Sequence, residues 1–129
     1  MLKSGILNPQ ILSLLARVRH TNTVVIADRG FPFWPEIETV DISLVDGIPR
    51  VLDVLEAIRA NYVIGHVWMA EEFKSANDPR TREAFSAALA EVPLTFEPHV
   101  EFKKRVPRAI GLIRTGDTIQ YTNMIIESA

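Results

Sequence analysis

The chain has 129 residues, 47% of them apolar, and a formal net charge of -2, which is enough apolar material for one domain spanning residues 1–129. It contains no cysteine, which excludes a disulfide framework, a thiolate metal site and cysteine nucleophile chemistry. Acidic and basic residues are intermixed and no run reaches the ~20 apolar residues of a membrane span. Nucleic acid and membrane are therefore not expected partners, and with no signal-like apolar run at its start the chain reads as cytoplasmic, acting on a neutral small substrate or a protein partner.

Asn8 followed by Pro9 has the form of a helix N-cap with proline at the first helical position. Ile11, Leu14, Leu15 and Val18 recur at helical spacing, which predicts a helix from about Pro9 to Arg17. Thr23-Val24-Val25-Ile26-Ala27 is β-branched and apolar, as in a strand covered on both faces, and it ends at Asp28-Arg29-Gly30. Two prolines make Phe31-Pro32-Phe33-Trp34-Pro35 an aromatic loop. Val40-Asp41-Ile42 predicts a short strand. Val51, Val54, Leu55 and Ile58 mark a second helix after Pro49, and an apolar strand follows from Tyr62 to Ala70.

Asp78-Pro79 repeats the cap signature and opens a third helix with Phe85, Ala88 and Leu89 turned inward. Leu94-Thr95-Phe96 reads as a strand, and Pro98 starts a short helix running to about Arg105. Ala109 to Ile113 and Tyr121 to Ile126 read as strands separated by a turn at Gly116-Asp117. Helices alternating with strands give an α/β fold, a mixed and mainly parallel sheet flanked by helices.

Ligands of open α/β sheets bind beyond strand carboxyl ends, so Asp28 is a candidate ligand as well as an ordinary turn residue. His20 follows the first helix, where the dipole favours the protonated ring, and His99 lies in the first turn after Pro98, where it favours the neutral ring. Either histidine can be no more than a cap, or the two can act as proton donor (His20) and acceptor (His99). His66 shares a strand face with Ile64 and Trp68, which suits a packed histidine with one hydrogen bond. The histidines share no metal-ligand spacing, Glu71, Glu72 and Lys74 read as a solvated or interface face, and no glycine-rich phosphate loop or nucleophile elbow is present. Acid–base chemistry on a neutral polar ligand remains, without a cofactor. Strand alternation would put Tyr121 and Asn123 on one face, either hydrogen-bonding to ligand hydroxyls or simply packed.

Several stretches in fixed order carry a resemblance over essentially the full length. They are Gly5-Ile6-Leu7-Asn8; His20 with Thr21; Val25-Ile26-Ala27-Asp28 with Gly30 and Pro32; and Asp41-Ile42-Ser43-Leu44 followed by Gly47 and Pro49. Ala70-Glu71-Glu72 with Lys74, His99 with Glu101-Phe102-Lys103, and Arg114-Thr115-Gly116 with Tyr121 and Asn123 complete the set. In these the chain resembles the D-ribose pyranase and L-fucose mutarotase superfamily, closest to the pyranase branch.

The resemblance implies a homo-oligomeric ring, decameric or octameric, with sites at subunit interfaces. It also implies an isomerase that interconverts pyranose and furanose forms, or anomers, of a free monosaccharide. By that analogy His20 is the proton donor, and Asp28, His99, Lys103, Tyr121 and Asn123 line the sugar. Fully extended, His20 and Asp28 lie up to ~26 Å apart, so either the chain doubles back near Thr21-Asn22 or a neighbouring subunit completes the site. Arg29 departs from the small residue usual after the Asp and raises an acidic sugar as substrate, or else a subunit contact. Trp34 belongs to a loop bulkier than the family's and would stack on a sugar or pack between subunits. A fucose-type mutarotase and a non-catalytic sugar-binding protein are the rival readings.

Overall fold

A computed structural model describes Met1–Ala129 as α1 (Pro9–Ala16), β1 (Thr23–Ala27), β2 (Glu38–Asp41), α2 (Val51–Arg59), β3 (Ile64–Ala70), α3 (Glu72–Ala76), α4 (Pro79–Ala88), β4 (Leu94–Glu97), α5 (His99–Arg105), β5 (Gly111–Arg114) and β6 (Met124–Ser128), with a single 3-10 turn at Val106–Arg108. The expected caps form. Asn8 accepts the Ile11 N–H at 3.0 Å, and Asp78 accepts the Thr81 N–H at 2.7 Å, each satisfying a donor that the first helical turn leaves free. Boundaries differ from expectation mainly by a residue or two, and the short helix α3 carries no cap or periodic signal of its own.

The six strands form one sheet in the order β2-β5-β1-β6-β3-β4. β2, β5 and β1 run parallel, β3 and β4 run parallel, and β6 is antiparallel to both β1 and β3. This is the mixed, mainly parallel sheet expected. Side-chain alternation along β1 feeds two cores of unequal size. Val24 and Ile26 join Ile11 and Leu14 of α1, Val54, Leu55 and Ile58 of α2 and Phe85 of α4 on one face. Val25 and Ala27 face the other way, against Phe102, Val106, Leu112 and Ile125. β1 is therefore covered on both sides, which is why it reads as an unbroken apolar run.

Gly111 lets α1 press onto the sheet, because a Cβ there would come within 2.7 Å of Leu14 Cδ1 and 3.1 Å of the Glu38 carbonyl oxygen. His66 is packed as expected, its Nε2 2.8 Å from Thr95 Oγ1 and its ring 4.3 Å from that of Trp68. Ile64 does not share their face. A register shift between Ile64 and His66 sends Ile64 to the larger core while Trp68 packs on the smaller one, as a bulge does when it adds a residue to one strand. No helix of the chain is long and apolar enough to cross a membrane.

Candidate active site

The carboxyl ends of β1, β3, β4 and β5 and the amino end of β6 meet at one edge of the sheet. There a cavity of about 390 Å³ is lined by Asp28, Gly30, Phe31, Pro32, His99, Gln120, Tyr121 and Asn123. Four of the six residues expected in the site thus converge within one chain.

Asp28 leaves β1 into a turn in which its Oδ1 accepts the Gly30 N–H at 2.9 Å. Asn123, 3% exposed, grips it from behind. Asn123 Oδ1 accepts the Asp28 N–H at 2.7 Å, and Nδ2 donates to Asp28 Oδ2 at 3.2 Å. Burial pushes the Asp28 carboxyl above its ordinary value, and the donors from Gly30 and Asn123 oppose that shift by stabilising the ionised form.

The 28–32 loop is fastened from β5. The Arg114 guanidinium donates to the carbonyl oxygens of Phe31 at 2.5 Å and of Asp28, Arg29 and Pro32 at 3.4 Å. Next to it, Thr115 Oγ1 donates to the Ala27 carbonyl at 2.8 Å, and the Asp117 carbonyl accepts the Arg29 N–H at 3.1 Å. A flexible loop of aromatics and prolines is thereby given one backbone course. Sequence reading matched Arg114-Thr115-Gly116 only as a motif; a basic residue at a strand end gives no sign that it binds carbonyls 80 residues away in the chain.

His99 opens α5 and stands among aromatic rings, 5.2 Å edge-on to Tyr121 and about 6 Å from Phe31 and Phe102. Its Nε2 is buried without a partner in the chain. Burial, and then the nearby Lys103 ammonium, push the imidazole below its ordinary value, while Glu72 and Asp28 pull the other way. The expected direction holds, but desolvation rather than the helix dipole leads it.

Tyr121, Thr122 and Asn123 are not in a strand, as β6 begins at Met124 and Tyr121 has φ 57. The left-handed backbone at Tyr121 turns the chain into β6, so the two side chains reach the cavity from a loop rather than by strand alternation. Gln120, which also lines the cavity, went unnoticed, since an isolated glutamine in a turn carries no sequence signal.

Lys103 lies one helical turn beyond His99. It borders a second cavity of about 380 Å³ with Pro32, Phe33, Trp34, Lys104 and Pro107, so it adjoins the main cavity through Pro32. Arg29 does not line either cavity; its guanidinium is exposed and paired with Asp46 at 2.7 Å.

His20 lies at the opposite end of the sheet. The chain does turn at Thr21 (φ 65), but Thr21 and Asn22 pair with Ser128 at the far end of β6. β1 alone separates His20 from Asp28 by roughly 16 Å at ~3.3 Å per residue. Of the two alternatives left open for His20, doubling back within the chain is therefore excluded.

Polar groups gathered at strand carboxyl ends around one cavity mark an α/β domain with a candidate site for a small polar ligand. The chain belongs to the RbsD / FucU transport protein family, whose family model matches residues 1–129. A D-ribose pyranase of Geobacillus thermodenitrificans is 41% identical over 128 residues, covering 99% of this chain and 96% of the relative. One of Geobacillus kaustophilus is 43% identical, covering 99% and 93%. The structure of Bacillus subtilis RbsD complexed with D-ribose superposes with a TM-score of 0.93 at 31% identity, covering 100% of this chain and 98% of that one. A fucose mutarotase in complex with L-fucose from Streptococcus pneumoniae shares the fold, with a TM-score of 0.80 at 17% identity over 95% of this chain and 92% of that one.

Proposed function

We propose that this chain is a sugar isomerase that interconverts the pyranose and furanose forms, or the anomers, of a free monosaccharide such as D-ribose. The observation that carries the reading is the convergence of Asp28, His99, Tyr121 and Asn123 on one cavity, in a family member whose curated relatives are D-ribose pyranases.

Ring opening needs a base to take the anomeric hydroxyl proton as the bond from the anomeric carbon to the ring oxygen breaks. An acid must protonate that oxygen, leaving the open-chain aldehyde, which a different hydroxyl then recloses. Asp28, whose ionised form is held by Gly30 and Asn123, or the neutral His99, whose Nε2 has no partner in the chain, takes the anomeric proton. Tyr121 and Asn123 orient sugar hydroxyls, and Lys103 approaches from the adjoining cavity. No cofactor is required, since a positioned acid or base supplies ~10²–10⁴-fold each.

The acid is His20 of a neighbouring copy in a homo-oligomeric ring, a decamer or an octamer in the cytoplasm. Its place across the sheet from Asp28 supports this arrangement. An acidic sugar loses its support, because Arg29 is paired with Asp46 away from the cavity.

The test is saturation-transfer NMR of D-ribose, L-fucose and a uronic acid with wild type and His20→Ala. D-ribose exchange accelerated by wild type and lost in the variant is expected. No acceleration for any of the three leaves a binding protein, and acceleration of L-fucose alone makes it a fucose-type mutarotase. Mixing His20→Ala with Asp28→Asn subunits after dissociation restores part of the activity if the site is shared between copies, and restores none if it is not.

A further inference from the structure

α5 begins without a side-chain cap, since its N-cap is Pro98. The first N–H groups of a helix have no partner within it, and at His99 that donor is taken from another element. Glu72, the first residue of α3, accepts the His99 N–H with both carboxylate oxygens at 3.1 Å. Glu72 is half-buried and makes no salt bridge; the nearby Lys74 pairs with Glu71 instead, at 3.2 Å, and lies over the Phe96 ring. Adjacent strands bring the two segments together, with the Glu71 N–H donating to the Glu97 carbonyl at 2.7 Å. Of the solvated or interface face expected at Glu71, Glu72 and Lys74, Glu71 and Lys74 are exposed, whereas the Glu72 carboxylate is taken up by the His99 backbone.

We propose that Glu72 is a positioning residue for the ring-opening reaction, fixing the first turn of α5 so that the His99 imidazole stands against Tyr121 at the cavity, and setting the charge beneath that imidazole. The assignment rests on the acid–base reading of His99 given above. Its geometric part is the shared acceptor at the backbone of the residue whose ring lines the cavity. Its electrostatic part follows from the neighbours. The charged groups acting on His99 are Lys103 from α5, Glu72 from α3 and Asp28 from the loop after β1. Glu72 comes first among the groups that raise the proton affinity of His99, opposing both burial and Lys103. Removing its charge therefore moves the His99 titration to lower pH.

Glu72→Gln and Glu72→Ala separate the two parts. Glutamine retains an oxygen for the His99 N–H and removes the charge, whereas alanine removes both. Ring NMR titration of His99 in the sugar-free protein, followed by kcat and KM for D-ribose across pH, is the measurement. Expected are a downward displacement of the His99 titration in both variants and a loss of kcat in the alanine variant that glutamine largely rescues. That loss is smaller than the ~10²–10⁴-fold of a missing acid or base, with KM little changed. A His99 titration in Glu72→Gln that coincides with wild type overturns the electrostatic part, and alanine kinetics equal to wild type overturn the positioning part. If the alanine variant does not fold, Glu72→Leu, which fills the space without an acceptor, decides the positioning part in its place, and the glutamine titration decides the electrostatic part. Should wild type fail to accelerate sugar exchange, the isomerase reading falls while the sugar-free titration continues to report on Glu72.

Discussion

Replacing Asn123 with leucine tests whether the Asp28 carboxylate is held from behind. Leucine has nearly the same shape as asparagine, so packing around this 3%-exposed side chain is disturbed little while both hydrogen bonds to Asp28 disappear. A buried N–H left without its acceptor costs ~1–3 kcal/mol, and a hydrogen bond to a charged group is worth ~1.5–3 kcal/mol. Water in the cavity can replace part of the second loss, so about 2–4 kcal/mol is the net expectation. For a domain of this size ~3–5 °C accompanies each kcal/mol, which puts the fall in Tm near 10 °C. A second effect follows from the donor itself. The Asn123 N–H holds the Asp28 carboxyl down against burial, so its removal lets burial raise that carboxyl further and moves any activity that needs ionised Asp28 to higher pH. Circular dichroism melting and sugar-exchange NMR over a pH series measure both. A Tm within ~2 °C of wild type together with an unmoved acid limb refutes the reasoning.

Arg114→Lys removes the planar fork that reaches the carbonyls of Asp28, Arg29, Phe31 and Pro32, and a lysine cannot reproduce that geometry. KM for D-ribose should rise and Tm should fall, and steady-state exchange with KM unchanged counts against the clamp. Gly116→Ala drives a Cβ into the carbonyl oxygens of Val45 and Ile48, so it should cost at least the ~1–3 kcal/mol of an overpacked site; a wild-type melting curve would show that the 45–48 turn yields freely. The His99 ring is held below its usual value of 6.5. The unfolded chain therefore binds that proton more readily, and the stabilisation present above the ordinary histidine value is lost as pH falls through the folded one. His99→Phe should flatten this part of the stability–pH curve, and an identical slope in the variant refutes the assignment.

Elements whose signal is local were legible in the sequence: the Asn8-Pro9 and Asp78-Pro79 caps, the doubly covered β1, and the helix periodicity at Val51, Val54, Leu55 and Ile58. The bulge before His66 was not, because a register shift alters which face a residue occupies without altering the residues. Asp28 and His99 were legible as chemistry at element ends. Asn123 lines the same cavity as Asp28, but strand alternation does not account for a residue that follows a left-handed tyrosine. Arg114 and Glu72 show the general limit. Both act on backbone atoms of distant segments, and a backbone carbonyl or N–H has no residue identity for a motif to register.

Burial in the cavity drives Asp28 and His99 toward one another. It raises the carboxyl and lowers the imidazole, in each case favouring the neutral form. Left unopposed, it would make the carboxylate harder to keep ionised and the imidazole a weaker base. The chain opposes each shift with a separate device, N–H donors from Gly30 and Asn123 on the carboxyl and the Glu72 carboxylate on the imidazole. Ring opening takes a proton from the anomeric hydroxyl and reclosure returns one to that oxygen, which a group held entirely in one protonation state does poorly. Asn123→Leu and Glu72→Gln remove these two devices one at a time, and they should move the Asp28 titration up and the His99 titration down, so the double variant should separate from wild type in both directions at once.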